Sequence, residues 1–431
     1  MRPDARLQAA IELLDLVDES NQQKGLPVDA LIRSYFRKRR YAGSGDRRAV
    51  RALLFDILRQ WGVCRALASR GCLEANARSH VIAYGACFET DLLSQFGAGP
   101  HGPSALSSDE DTLVHHAKDW RQDVSKAAQL NVPEDVFTLL ADARDVHDFI
   151  PKPEDRAPLT LRTNKPSELI NELKVAGYNA EQTPYSPDGL FLPDVHDIPD
   201  LAVVQQGLAE VQDEASQLCS LMVSPPPGAV VVDLCAGAGG KALAIAARHP
   251  KVKIVACDIS KKRLSALSER AARAGVENIE VLALPSDFPS TVPTEIEALS
   301  NKAHWVLVDA PCSSSGTWRR HPALRHRYTA SDIARFSAEQ ARLARAGLAL
   351  VRPGGRLTFA TCSVLQEEGE AVMADLRGSD SALEPVDYRA LLSGCVKKMP
   401  DTLSKIKEWL LLSPVKHGCD GFFCATVRRQ L

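Results

Sequence analysis

The sequence predicts an α/β protein: a doubly wound, mostly parallel sheet in the carboxy-terminal half, preceded by a small α/β subdomain and an all-helical amino-terminal domain. From residue 229 onward, apolar strand-like runs alternate with helical segments, which is typical of a parallel sheet. In roughly the first 145 residues, apolar positions instead recur at helical spacing. The 431 residues, 45% of them hydrophobic, exceed what one core usually organises, so we expect several domains.

The amino-terminal domain is predicted over residues 1–148. Its helical pattern is clearest in two groups of apolar residues, which are Leu7, Ala10, Ile11, Leu14 and Val17, and Val50, Leu53, Leu54, Ile57 and Leu58. The stretch 97–104, rich in Gly and Pro, interrupts the helices and predicts a mobile loop. The stretch 151–158 contains three prolines and predicts an interdomain linker.

A small α/β subdomain is predicted over residues 159–223. A strand-like run at 159–164 precedes a helix at 166–176, which Gly177 closes, and a second strand begins at Tyr178. A Pro- and Gly-rich run at 224–228 marks the next boundary. We therefore assign 224–431 to the doubly wound domain.

The charge balance of the whole chain favours no class of partner. There are 52 Lys and Arg residues and 54 Asp and Glu residues, a net charge of −2, so a polyanion would have to bind local basic clusters. Such clusters are Arg37, Lys38, Arg39 and Arg40, and Arg319 and Arg320. Without other information, a solvated surface is the simpler interpretation of a charge run.

The cysteines and the amino terminus indicate a cytoplasmic protein without a metal or a membrane segment. The eleven cysteines are scattered and odd in number, which is not the pattern of a secreted disulfide framework. The sequence contains no Cys-x-x-Cys pair, so we predict no zinc site and no other metal. No run approaches the roughly 18 apolar residues of a membrane helix, and the chain opens into an amphipathic helix instead of a signal peptide.

A glycine-rich turn follows the first strand of the predicted sheet. The strand occupies 229–234, and the turn at 235–241, Cys-Ala-Gly-Ala-Gly-Gly-Lys, leads into a helix, so we expect a ligand across the turn. A phosphate-binding loop would need glycine in place of Cys235 and a hydroxyl residue in place of Ala242, and this alternative fails. A dinucleotide site, whose fingerprint here ends in alanine, and a site for an adenosyl ligand without pyrophosphate both stay open.

Two acidic residues follow the next two strands. Asp258 ends the strand at 253–257, about twenty residues beyond the turn, where a carboxylate accepts both hydroxyl protons of a ribose. Asp287 follows the strand at 279–284 and is placed to reach an adenine amino group. The alternative is that both carboxylates only cap the helices that follow them.

Two cysteines stand just beyond the ends of later strands. Cys312, preceded by Asp309-Ala310-Pro311, follows the apolar run 305–308, and Cys362, between Thr361 and Ser363, follows the run 357–360. Because parallel strands end at one edge of a sheet, both thiols should lie where open α/β sheets place their chemistry. Two such thiols indicate covalent catalysis, although a free cysteine is also often a small buried hydrophobe.

Together these motifs closely resemble those of the S-adenosylmethionine-dependent RNA cytosine-C5 methyltransferases of the NOL/NOP/Sun type. The likeness rests on the type, order and spacing of residues in 233–241, 309–313 and 361–364. It extends to 212–216, which resembles the segment before the catalytic domain, and to 420–423, which resembles the closing antiparallel hairpin. The helical amino-terminal region is similar to the NusB-like RNA-binding domain of the RsmB-like branch.

The resemblance implies a Rossmann-like class I methyltransferase domain, a monomer, that forms 5-methylcytosine in RNA of the 16S ribosomal type. It implies that the S-adenosylmethionine contacts are Cys235, Ala236, Gly237, Gly239, Gly240, Lys241, Asp258, Arg263, Asp287 and Asp309. It also turns the two basic clusters into expected RNA contacts, at Arg37, Lys38, Arg39, Arg40, Arg319 and Arg320.

The resemblance further implies the catalytic roles. Carbon 5 of cytosine is a poor nucleophile, and a thiolate that adds to carbon 6 makes it reactive. By resemblance, Cys362 attacks and Cys312 assists release of the product, while Asp309 holds the cytosine edge and Lys241 orients Asp309 or the base. The target base must leave its stack to meet a thiol, so the RNA must present it single-stranded or flipped out.

Two alternatives stay open. One is a methyltransferase that acts on protein, tRNA or a small molecule. For a substrate other than RNA, the paired cysteines and the basic helical domain would have no purpose. The other is a non-catalytic RNA-binding protein of ribosome assembly, which would not need intact Cys312 and Cys362. The sequence departs from the family pattern at Ser314 and Ser315, where glycine is common, and at Trp318, where an aliphatic residue is usual.

Overall fold

The protein is described by a computed structural model that covers residues 1–195 and 201–431. The chain forms two compact units. The first, which we call the helical unit, comprises Met1–Val146, Ile150–Asp155 and Trp318–Ala330, and the second, the sheet unit, comprises His147–Phe149, Arg156–Thr317 and Ser331–Leu431.

The helical unit is built from eight α-helices and short 3-10 turns. The helices are α1 (Pro3–Gln22), α2 (Val28–Arg37), α3 (Ser44–Arg59), α4 (Trp61–Arg70), α5 (Ala77–Phe88), α6 (Ser108–Trp120), α7 (Lys126–Gln129) and α8 (Glu134–Ala143). The turns are Thr90–Gln95, Arg121–Asp123 and Pro322–His326. Every apolar position predicted for α1 is buried, and in α3 only Leu53 stays half-buried, so both helical patterns face the core.

The Gly- and Pro-rich stretch 97–104 lies close against α1. The amide of Gly97 donates to the carbonyl of Pro103 at 2.9 Å, which closes the stretch on itself. A Cβ added at Gly99 would lie 2.3 Å from Oδ2 of Asp4, so glycine is needed for this close approach. The glycines that predicted a mobile loop therefore belong to a loop that packs against α1.

The segment 318–330 belongs to the helical unit, although the sequence pattern predicted it to lie within the domain 224–431. The Arg325 side chain, 2% exposed, donates to the carbonyls of Leu130 and Pro151. The Asn21 amide donates to the carbonyl of Ala323 at 3.1 Å. Burial of the arginine explains the difference, because a charge run suggests a surface and not a buried anchor.

A small four-stranded antiparallel sheet opens the sheet unit. Its elements are β1 (Leu159–Arg162), α9 (Pro166–Val175), β2 (Glu181–Gln182), β3 (Gly189–Leu192), α10 (Ala202–Gln205) and β4 (Glu210–Val211), with the strand order β2-β3-β1-β4. It has its own core, which includes Leu161, Leu169, Leu173 and Leu190. The division into two compact units does not separate 159–223 from the rest of the sheet unit, so those limits stay predictions.

The large sheet has eight strands with helices between them. The elements are α11 (Glu214–Met222), β5 (Val230–Asp233), α12 (Gly240–Arg248), β6 (Lys253–Asp258), α13 (Lys261–Arg273), β7 (Ile279–Ala283), α14 (Thr294–Glu297), β8 (Ala303–Asp309), α15 (Ala330–Leu350), β9 (Val351–Thr361), α16 (Glu370–Ser379), β10 (Leu383–Val386), α17 (Tyr388–Leu392), β11 (Leu410–Leu412), α18 (Pro414–His417) and β12 (Phe422–Arg429).

The order of the large sheet is β10-β12-β9-β8-β5-β6-β7, and β11 also pairs with β12. The five strands β5 to β9 run parallel, whereas β12 pairs antiparallel with β9, β10 and β11. The prediction of a mostly parallel, doubly wound sheet with an antiparallel close is confirmed. Across residues 1–195 and 201–431, every helix falls short of the length and apolar character that a bilayer crossing requires.

Candidate active site

The loops after four parallel strands meet at one edge of the large sheet. Strand β5 pairs with β6 and β8, and β8 pairs with β9, so the carboxyl ends of these strands lie side by side. The glycine turn follows β5, Asp258 ends β6, Asp309 ends β8, and Cys362 follows β9. The topology thus brings together motifs that lie far apart in the sequence.

The glycine turn has a backbone that glycine adopts without strain. Gly237 and Gly239 have φ angles of 56° and 86°, which lie in the left-handed region. A Cβ on Gly239 would come 2.4 Å from Cγ of Leu267, so this glycine also allows close packing on α13. Because α12 begins at Gly240, the positive end of its dipole faces the turn.

The carboxylate of Asp258 connects the turn to the second strand. Its Oδ2 accepts the N–H of Gly237 at 2.8 Å, and its Oδ1 accepts the N–H of Ser260 at 2.7 Å. The side-chain cap of α13 is Ser260, whose hydroxyl accepts the N–H of Arg263. Asp258 is therefore more than a helix cap, because it fixes the glycine turn from the neighbouring strand.

A cavity of 440 Å³ lies against this turn, a size typical of small-molecule sites. The predicted cofactor residues that line it are Cys235, Ala236, Gly237, Gly240, Lys241, Asp258, Arg263 and Asp309. Asp287 is not among its lining residues: it is exposed, and its carboxylate accepts the hydroxyl of Thr291. The apolar side chains of Ile259 and Phe288, which no sequence motif singled out, line the cavity instead.

The lining favours an adenosyl ligand over a dinucleotide. The carboxylates of Asp258, Asp309 and Glu339 outnumber the two cationic side chains of the lining, so a pyrophosphate there would meet a net acidic surface. The sulfonium and ammonium groups of S-adenosylmethionine suit such acidic neighbours. The apolar faces of Ile259 and Phe288 suit a purine, so the residues present fit this cofactor.

Lys241 and Asp309 form a buried ion pair. The Lys241 Nζ lies 2.7 Å from Oδ2 of Asp309, with 6% of the lysine side chain and 31% of the aspartate side chain exposed. The ammonium also lies 4.5 Å from the ring centre of Phe422, a contact that the sequence motifs did not predict. Burial alone lowers the pKa of Lys241, but the charges of Asp309 and the neighbouring thiols together raise it, so the lysine stays cationic.

A second aspartate lies behind this pair. Asp233, at the end of β5, is 1% exposed, and its Oδ1 has no hydrogen-bond partner within the described residues. Burial and the charge of Asp309 raise the pKa of Asp233 to about 8. Asp233 is therefore largely neutral at pH 7, which leaves Lys241 to pair with Asp309.

The two cysteines lie together at this edge of the sheet. The Sγ atoms of Cys312 and Cys362 are 3.4 Å apart, and Sγ of Cys362 is also 3.5 Å from Oγ of Ser314. Both residues are half-buried. Backbone bonds hold the loops that carry them: Ala310 donates to the carbonyl of Ala360 at 2.9 Å, and Gly316 donates to that of Cys362 at 3.0 Å.

The environment distinguishes the two thiols. The hydrogen bond from Cys312 is the main cause that lowers the pKa of Cys362 below its usual value, and the hydroxyl of Ser314 adds to it. The same hydrogen bond, together with burial, raises the pKa of Cys312 well above its usual value. The pair therefore favours ionisation of Cys362 over ionisation of Cys312.

Several of the other cysteines lie in the hydrophobic core. Cys219, Cys257 and Cys424 are buried, and all eleven cysteines are free thiols. In the part of the chain that the structure describes, no group of three or more His, Cys, Asp or Glu side chains is placed to hold a metal ion.

The predicted RNA contacts differ in their exposure. Arg37, Lys38 and Arg40 are exposed at and just beyond the end of α2. Arg39 instead forms an ion pair with Glu12 at 2.9 Å and stacks on a tyrosine ring. The first member of the second cluster, Arg319, is 8% exposed inside the helical unit. Its half-buried neighbour Arg320 is more accessible, and the phosphate contacts of both residues stay predictions.

Comparison with known proteins shows which protein family the carboxy-terminal part of the chain resembles. Residues 220–428 match the family described as 16S rRNA methyltransferase RsmB/F. A ribosomal RNA small subunit methyltransferase B from Pasteurella multocida is 29% identical over 280 residues, which are 64% of this chain and 59% of the relative. The matched stretch spans half to three fifths of the length of the first curated relatives.

Solved structures share the fold. The crystal structure of PH0851 has a TM-score of 0.73 at 24% identity and covers 100% of this chain and 99% of its own. That of NSun6 from Pyrococcus horikoshii with SFG has a TM-score of 0.54 at 20% identity and covers 64% of this chain and 92% of its own. At these identities the likeness establishes the fold, in agreement with the architecture described above.

Proposed function

We propose that the protein, whose residues 220–428 match the family described as 16S rRNA methyltransferase RsmB/F, methylates carbon 5 of a cytosine in small-subunit ribosomal RNA. The observation that carries this proposal is the pair of thiols, Cys312 and Cys362, 3.4 Å apart beside the Lys241–Asp309 ion pair. Transfer to a stronger nucleophile, such as an amine, needs no thiol. A weakly nucleophilic pyrimidine carbon needs covalent activation.

The cavity at the glycine turn is the proposed cofactor site. S-adenosylmethionine bound there would supply the methyl group. The backbone of the turn and the carboxylate of Asp258 would hold its ribose, while Ile259 and Phe288 would flank its adenine. Asp309 belongs to the lining of this cavity and pairs with Lys241, so it connects the cofactor site to the site of the base.

The proposed reaction begins with the thiolate of Cys362. It adds to carbon 6 of the cytosine, and the electron pair of the ring double bond moves so that carbon 5 becomes nucleophilic. Asp309, held by Lys241, is placed to accept a hydrogen bond from the amino edge of the base and so to orient it, while the cationic Lys241 offsets the negative charge that develops in the ring. Because the ion pair is mostly buried, this stabilisation acts in a site of low dielectric.

The proposed RNA contacts lie on the helical unit. Arg37, Lys38 and Arg40 are exposed and carry no acidic partner in the described ion pairs, which suits phosphate binding. Since the net charge of the chain is −2, a local basic surface has to provide the electrostatic attraction. Arg39 would support this surface through its contact with Glu12 and is not proposed as a phosphate ligand.

A labelling experiment tests the proposed function. The purified protein is incubated with methyl-labelled S-adenosylmethionine and unmodified small-subunit rRNA, large-subunit rRNA or tRNA, and the RNA is digested to nucleosides. We expect label in 5-methylcytidine from small-subunit rRNA alone. Label in tRNA or in protein would favour one of the alternative functions. A wild-type protein that labels no RNA, whether the RNA is free or assembled in ribosomal subunits, would refute the proposed function.

Substitution of Asp258 by alanine is expected to weaken S-adenosylmethionine binding by about 10- to 100-fold. The carboxylate accepts two backbone N–H groups that shape the turn, and hydrogen bonds to charged groups are worth roughly 1.5–3 kcal/mol each. Calorimetric titration without RNA measures the change. Glu280→Ala, which removes an exposed carboxylate from the neighbouring strand, is the control and should bind normally. Unchanged affinity in Asp258→Ala would exclude this carboxylate from the cofactor site.

A further inference from the structure

Glu368 is a fully buried carboxylate to which the proposed reaction assigns no role. It ends the 3-10 turn Gln366–Glu368, six residues after Cys362, and is 0% exposed. A buried carboxylate is costly unless it is hydrogen-bonded or paired with a positive charge, so its partners explain why it is tolerated. Those partners all belong to the loops of the two cysteines or to the helix beneath them.

Four hydrogen bonds converge on this carboxylate. One oxygen accepts the amide of Ser313 at 2.8 Å and the side-chain amide of Gln340 at 3.2 Å. The other accepts the hydroxyls of Ser313 and of Ser363, the latter at 2.7 Å. Ser313 directly follows Cys312, and Ser363 directly follows Cys362. One side chain therefore clamps the residues next to both thiols.

A second row of bonds extends this clamp. The hydroxyls of Ser315 and Ser363 lie 2.9 Å apart, and the amide of Val364 donates to Ser315 at 3.0 Å. The carbonyl of Glu368 accepts the hydroxyl of Thr361 at 3.0 Å, which ties the same turn to the end of β9. The two loops are thus joined through Glu368 at several points, and their separation depends on its position.

We propose that Glu368 is a positioning residue whose buried carboxylate sets the spacing and alignment of Cys312 and Cys362. This inference rests on the proposed function, because it names what aligns the two thiols of that reaction. Glu368 acts through the cysteine loops and touches neither the base nor the cofactor.

The charge of Glu368 acts on one thiol more than on the other. Its carboxylate is one of the causes that raise the pKa of Cys312 and is absent from the main causes that act on Cys362. Burial raises the pKa of Glu368 itself, while the bonds from Ser313, Ser363 and Gln340 oppose that rise. These three residues donate all four hydrogen bonds to it, an arrangement that suits an ionised carboxylate, which only accepts.

The isosteric variant Glu368→Gln separates this role from simple packing. Glutamine keeps the volume of the side chain. Its amide nitrogen, however, presents a donor to the hydroxyls of Ser313 and Ser363, which in the wild type donate to a carboxylate oxygen. Ser363 also accepts the amide of Leu365 and contacts Ser315, so its hydroxyl has no free direction in which to turn. The row of serines must therefore rearrange, and the thiols with it.

Glu370→Gln is the matched control. Glu370 is also a buried glutamate, 6% exposed, and it accepts the hydroxyl of Ser404 at 2.6 Å and the amide of Lys405 at 3.0 Å. These two bonds hold a different loop, that of Ser404 and Lys405. A loss that comes only from removing a buried negative charge would be shared by both variants.

The first readout is the alkylation of the free protein by iodoacetamide between pH 6 and 9, resolved by peptide mass spectrometry. In the wild type, Cys362 should react faster than Cys312, because the thiolate is the reactive form. In Glu368→Gln we expect this preference to fall by about tenfold, since roughly one unit of pKa difference corresponds to that factor. In Glu370→Gln the preference should persist.

The second readout is methyl transfer, with thermal unfolding as a check on folding. We expect kcat of Glu368→Gln to fall by about 100-fold with KM for RNA unchanged, the size of effect that a misplacement of about 1 Å produces. Unchanged thiol preference and kcat in Glu368→Gln, or equal losses in Glu370→Gln, would overturn the inference. If Glu368→Gln fails to fold, Ser313→Ala removes one of the hydroxyls that donate to the carboxylate and should show the same effects in weaker form.

These two readouts keep the inference and the proposed function apart. The alkylation preference needs neither RNA nor cofactor, so it tests Glu368 even if the wild type methylates no RNA. Conversely, a wild type that forms 5-methylcytidine while Glu368→Gln behaves normally would support the function and refute the role of Glu368.

Discussion

Replacement of Cys362 by alanine is expected to abolish methylation of RNA, with kcat lowered by at least about a thousandfold. The thiolate of Cys362 is the only group proposed to add to carbon 6, and removal of a covalent nucleophile typically costs this much or more. Methyl transfer to small-subunit rRNA and a denaturing gel for protein–RNA adducts measure the change. Methyl transfer should disappear and no adduct should form, while S-adenosylmethionine still binds in the cavity at the glycine turn.

Cys395→Ala is the control for this substitution. Cys395 is half-buried like Cys362 and lies in the same unit, but it follows α17 and is not part of the thiol pair. Its replacement should leave methyl transfer unchanged. Full activity of Cys362→Ala would refute the nucleophile assignment, and equal loss in Cys395→Ala would indicate a general effect of cysteine removal.

The sequence predicted the parts of the site that depend on strand order. A buried apolar run followed by a polar residue predicts where a strand ends, and parallel strands place these ends at one edge. This is why Asp258, Asp309 and Cys362 could be expected at one site from the sequence alone. Each of these predictions uses only a few neighbouring residues, and the parallel sheet then brings the predicted strand ends together.

Contacts between loops could not be predicted in the same way. Glu368 follows Gln366 and Glu367, and such a polar triplet is usually solvated, so its burial depends on Ser313, more than fifty residues earlier. Asp287 has the right spacing for an adenine contact, but its carboxylate bonds within its own turn instead. The burial of Arg319 likewise reflects helices that are distant in the sequence.

Replacement of Cys312 by alanine is expected to trap the protein on its RNA. We expect a covalent adduct that survives denaturation, with turnover lowered by at least about a thousandfold, although the first methyl group is still transferred. A denaturing gel with labelled RNA measures the adduct, and nuclease treatment should remove the shifted band. The wild type should show little adduct, and Cys362→Ala combined with Cys312→Ala should show none.

The reason lies in how the two thiols share a proton. The hydrogen bond to Cys362 is the main cause that raises the pKa of Cys312, so this cause is lost once Cys362 has become a thioether on carbon 6. Cys312 can then lose its own proton to solvent water and accept the proton of carbon 5 as a thiolate; the ring double bond re-forms, the bond from carbon 6 to sulfur breaks, and Cys362 leaves as a thiolate. A Cys312→Ala protein that turns over normally would show that another base removes this proton. A Cys312→Ala protein with neither activity nor adduct would show that Cys312 is needed before Cys362 attacks carbon 6.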